Sequence, residues 1–164
     1  MAAYDPSRWT DLFVATAGAS GALAGLVFVA VSINIDPILR LPGLTERALE
    51  TVLLLLGVVV VSIFVLVPEQ GTAALGAELL GVGVVWAIAI GVLLRRSVPH
   101  YTGRPTWLAV RVVLTAAGVL PFVVCGASLV AKTGGGLFWA MAGIVAALVG
   151  AVLNAWVLLV EIRR

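Results

Sequence analysis

Five apolar stretches, each long enough to cross a bilayer, occupy nearly the whole of this chain, and its ionisable side chains are almost confined to the connectors between them. Crossing ~30 Å of hydrocarbon takes about 20 mostly apolar residues at 1.5 Å of rise each. Residues 11–33, 45–67, 72–94, 106–131 and 136–160 all reach that length. Lipid offers no hydrogen bonds to a backbone, so only helices and closed β-barrels span it. Barrel strands alternate apolar and polar residues, whereas residues 52–56 and 58–61 run without alternation. The expected fold is therefore all-α: a polytopic transmembrane bundle of five helices, one domain over residues 1–164. A composition of 62% hydrophobic and 11% charged residues lies outside the range of soluble domains, and the lipid bilayer is the first partner it implies.

Orientation follows from the basic residues. With five crossings, one side receives Arg8 and Lys132, and the other receives Arg40, Arg47, Arg95, Arg96, Arg104, Arg111, Arg163 and Arg164. By the positive-inside rule, eight against two predicts an N-terminus outside and a C-terminus in the cytoplasm. Residues 1–11 carry acids beside Arg8, and the first apolar stretch is longer than a signal-peptide core, so it is expected to be retained. The basic residues sit at helix ends, where topology accounts for them, and nucleic acid is not an expected partner. Arg95, Arg96 and Arg104 are placed to contact lipid head groups, anionic ones in particular.

Small residues mark where helices are expected to touch. Within a membrane, packing drives association, and Gly or Ala lets backbones approach. In the first stretch Gly21 and Gly25 lie four apart, with Gly18 and Ala22 on an adjoining face, which predicts a central packing helix. In the fifth, Gly136, Ala140, Gly143, Ala147, Gly150 and Asn154 recur at alternating spacings of four and three, a seam suited to one neighbouring helix. The third carries Gly83, Ala87 and Gly91. Pro121 removes a backbone donor within the fourth and predicts a kink there.

Polar groups inside the stretches are few, and charge in a membrane is costly enough to suggest a function. Glu50 and Arg111 lie at similar depths in the second and fourth stretches, in the cytoplasmic third with Asn154 and Asn34. One reading joins Glu50 to Arg111. The other has Arg111 snorkelling to the interface while Glu50 pairs with Arg47 one turn away. Glu78 stands near the outer end of the third stretch, a candidate for a pore or cavity.

Catalytic groups are not assembled. A nucleophilic triad would need His100, in the loop 95–105, while Ser20, Ser62, Ser128 and Cys125 lie toward the middle or far side of the membrane. One Cys and one His do not make a structural zinc site within a protomer, and Gly134-Gly135-Gly136 lacks the ending of a phosphate loop. No enzyme, metal or cofactor is expected.

The opening Trp9-Thr10-Asp11-Leu12-Phe13-Val14-Ala15, with GASGALAGLVFVAVSIN from Gly18 to Asn34, resembles a family of small five-helix bacterial membrane proteins of actinobacterial type, some labelled modulators of the FtsH protease. The likeness covers about the first fifth of the chain. It implies a multi-pass protein of the bacterial plasma membrane, and it carries no functional residue. Two functions are expected from these features: a non-enzymatic structural or regulatory subunit that associates as a homo-oligomer or within a larger membrane-protein complex, or a homo-oligomeric ion channel or small-solute transporter.

Overall fold

The structure, a computed structural model, describes residues 2–100 and 105–162. Among them every regular element is helical: α1 (Thr10–Ile33), α2 (Ile35–Arg40), α3 (Leu44–Val65), α4 (Thr72–Ser97), α5 (Pro105–Ala131) and α6 (Phe138–Ile162), with short 3-10 turns before α1 and after α4. All but α2 are long and apolar enough to cross a membrane. The chain has the fold of a multi-pass membrane protein. Helix starts follow local chemistry: Gly43 takes the left-handed conformation (φ 84°) ahead of α3, and Pro105 opens α5, where its missing N–H costs no hydrogen bond. α5 continues through Pro121.

Packing builds a four-sided bundle. α3 packs on α4, α4 on α5, α5 on α6 and α6 back on α3, while α3 and α5 face each other across the diagonal. Phe122, Val119 and Cys125 of α5 join Leu54, Leu55, Val58 and Val61 of α3, Leu75 and Leu79 of α4 and Ile144 of α6 in one buried cluster. The closest approach is between α4 and α5. A methyl built on Gly126 would lie 2.4 Å from the Leu80 nitrogen and 2.8 Å from the Gly76 oxygen, and one built on Gly76 would lie 3.0 Å from the Gly126 oxygen. The two backbones touch, which only glycine permits.

The α6 seam is buried along its whole length, from Gly136 and Ala140 through Gly143, Ala147 and Gly150 to Asn154. It serves two helices: Gly143 meets the Phe122 ring and Ala147 meets Gly118, both on α5, while Gly150 faces Leu54 of α3. Gly136 lies in the loop before α6 (φ 55°), where Ala3 leaves no room for a side chain. There the N-terminal segment clasps the end of the bundle. Leu137 N–H donates to the Ala3 carbonyl (2.9 Å), Gly135 N–H to the Tyr4 hydroxyl (3.1 Å), and the Thr72 hydroxyl to the Tyr4 carbonyl (3.3 Å).

The expectation for the first helix is overturned. α1 is peripheral, docked chiefly on α3, with 11% of its span buried against 56% for α3. Gly18, Gly21, Ala22 and Gly25 face outward, and a methyl on any of the three glycines would meet nothing within 4 Å. The face that packs on α3 instead carries Phe13, Thr16 and Ser20, with the Thr16 and Ser62 hydroxyls 3.2 Å apart. On α4 the expected stripe is half right: Gly83 is buried against Val123 and Ala87 is half-buried, but Gly91 meets nothing.

Gly126→Ala should lower stability by about 1–3 kcal/mol, since the clashing atoms are backbone and cannot rotate away. Gly18→Ala should leave stability unchanged or raise it by up to ~1 kcal/mol through helix propensity. Thermal unfolding of the two variants in one detergent measures the contrast.

Candidate functional site: a buried polar network across four helices

Glu50 of α3 and Arg111 of α5 meet inside the bundle. Glu50 is 0% exposed and Arg111 7%, in a region where water cannot solvate either charge. The Arg111 guanidinium donates twice to one carboxylate oxygen, through Nε at 3.0 Å and through Nη2. The other oxygen accepts from the Thr115 hydroxyl (2.5 Å) and from Asn154 Nδ2 (3.4 Å). Four donors fill the acceptor sites that an ionised carboxylate offers. Arg111 Nη2 also donates to Ser97 Oγ (3.3 Å), and Asn154 Oδ1 accepts from Arg47 Nε (3.5 Å).

Every helix of the four-sided bundle contributes to this network. The ion pair spans the α3–α5 diagonal, with Ser97 of α4 on one flank and Asn154 of α6 on the other. The positions arise from simple spacing. Glu50 lies six residues into α3 and Arg111 six residues into α5, and these two helices start from the same end of the bundle. Arg111 therefore turns inward rather than to the interface, and Arg47 reaches Asn154 of α6.

Asn34 does not join this group. It sits at the end of α1, beyond the edge of the four-helix core, and its side-chain amide donates to the Ala30 carbonyl (2.8 Å) of its own helix. Thr115 and Ser97 are members that the sequence reading missed. The signal for Thr115 was available, because it follows Arg111 by one helical turn and so shares its face. Ser128 closes the loop between α5 and α6, accepting from Gly136 N–H (2.8 Å) and donating to the Thr133 carbonyl.

Glu78, half-buried on α4, accepts from Gln70 Nε2 (2.5 Å) in the preceding connector. Arg95 and Arg96 are exposed at the end of α4, and Arg104 lies outside the described residues. Among the described residues no three His, Cys, Asp or Glu side chains group together as metal ligands would. With the Glu50 acceptors filled and its carboxylate closed off from the surroundings, the arrangement acts as a lock between helices. Compared with protein-family models, characterised proteins and solved structures, the chain matches none.

Glu50→Gln and Arg111→Gln should each cost about 3–5 kcal/mol, because each leaves the opposite charge buried without its partner. The double variant should cost clearly less than the sum of the two, and equilibrium unfolding of all four proteins in detergent completes the cycle.

Proposed function

We propose that this protein is a non-enzymatic membrane subunit, structural or regulatory, whose first helix docks against another membrane helix, in a second copy of the chain or in a larger complex. One observation carries this reading. Gly18, Gly21 and Gly25 line an outward face of α1 with open space above each of them, although glycine disfavours a helix by about 1 kcal/mol relative to alanine. In the four-sided bundle, Gly76, Gly83, Gly118, Gly126 and Gly143 meet a neighbouring helix within contact distance, and the open glycines of α4, Gly81 and Gly91, stand ten residues apart rather than in a row. An equally glycine-rich face without a neighbour calls for a helix from outside the protomer.

The polar residues favour this reading over a channel or transporter. Glu50, Arg111 and Asn154 satisfy one another within a single protomer, and Glu78 is engaged by Gln70, so these groups are withdrawn from any conduction path. A bacterial plasma-membrane location is what the resemblance of residues 9–34 implies. The distribution of Lys and Arg favours placing the end that carries Arg40, Arg47, Arg95 and Arg96 on the cytoplasmic side.

Native mass spectrometry of the gently solubilised protein tests the proposal. The wild type should appear as a homo-oligomer or with a copurifying membrane protein. Replacing Gly21 and Gly25 together by Leu should release the monomer, and the protomer's own thermal unfolding should be no lower, because those positions touch nothing within it and leucine favours a helix over glycine. A wild-type monomer without any associated protein would contradict the assignment.

A further inference from the structure

α1 and α6 flank α3 but barely touch each other, and the gap between them is a lipid-facing recess. One part, an open recess of about 260 Å³, is lined by Leu23, Val27, Leu55, Ala151, Ala155 and Trp156, among others. A second part shares Val27, Ala155 and Leu159 and runs on to Asn34 and Ile38. The two form one continuous groove, apolar from Leu23 until it reaches Asn34 at its mouth.

Dimensions decide what fits. From Leu23 to Asn34 the α1 wall runs eleven residues, about 16 Å at 1.5 Å per residue, or half of the ~30 Å hydrocarbon thickness. The groove is one leaflet deep. An all-carbon wall with one polar side chain at its mouth matches a hydrocarbon chain ending in an ester and a head group. The mouth opens at the end of the bundle where α2 presents exposed Asp36 and Arg40 and where Arg95 and Arg96 also lie.

We propose that the groove between α1 and α6 binds one acyl chain of a bilayer phospholipid, with the glycerol region at Asn34 and the head-group phosphate attracted by Arg40. This site is separate from the glycine face. Nine residues divide Gly18 from Val27, two and a half turns, so a partner helix on one face leaves the groove on the other open. Loss of association and loss of lipid are therefore distinguishable outcomes.

The test uses the full chain in mild detergent with dioleoyl phosphatidylglycerol, followed by native mass spectrometry. Retention should saturate at one tightly held lipid per protomer. Ala155→Leu, which fills the junction of the two parts, should lower retention about tenfold, and Arg40→Gln should lower it about threefold. Val27→Phe fills the groove from the opposite wall and carries the test if the first variant does not fold, with thermal unfolding as the control. In vesicles, phospholipids with brominated chains should quench Trp156, read as the difference between the wild type and Trp156→Phe, and the quenching should fall in the filled variants. Equal retention in wild type, Ala155→Leu and Val27→Phe would overturn the proposal, as would a ladder of weakly held lipids without saturation, or a second copy of the chain displaced by Ala155→Leu.

Discussion

Lipid tails are as apolar as leucine, so packing one leucine face on another inside a bilayer gains little that lipid does not already supply. Cohesion between these helices has to come from contacts that lipid cannot make, backbone against backbone and polar group against polar group. The four-sided bundle uses both, at opposite ends. Near one end Gly76 and Gly126 bring α4 and α5 into backbone contact. Near the other, Glu50 collects donors from α5 and α6 while Arg111 reaches Ser97 of α4. The clasp of Ala3 and Tyr4 over the loop before α6 adds a second polar tie at the glycine end.

α1 shows what happens where these devices are sparse. Its polar link to α3 is the contact between Thr16 and Ser62, and the buried Ser20 hydroxyl beside it has no hydrogen-bond partner. Few buried contacts and few polar ties place an element at the low end of local stability. A helix held in this way is the one most responsive to what lies outside the protomer, and the two proposals place their partners on opposite faces of it, a helix at its glycines and a lipid chain at Leu23 and Val27.

Much of this architecture was legible in the sequence because a bilayer imposes one dimension directly. Length and hydropathy give depth, so five spans could be located, and Glu50, Arg111 and Asn154 could be placed at one level and weighed as partners. Azimuth is a different matter. Asn34 shares that level yet sits on the far side of α3, and nothing in the spacing of its neighbours says so. The glycines of α1 announce close approach but not its partner, and in the structure they face away from the protomer's own core. Gly76 and Gly126 were overlooked because their meaning lies in a crossing between two helices, which neither helix encodes alone.

The stripe on α4 also shows how the two kinds of contact depend on each other. Its buried seam runs at intervals of seven through Gly76, Gly83, Ile90 and Ser97, the period of two helices wound about each other, whereas Gly91 falls off the seam and meets nothing. At the two glycines the seam brings backbone close to backbone, Gly76 against Gly126 and Gly83 against Phe122 and Val123 of α5. At its far end Ser97 instead accepts from Arg111 Nη2 of the same helix α5 (3.3 Å). One seam thus carries both devices, and its polar end ties α4 to the ion pair that spans the α3–α5 diagonal.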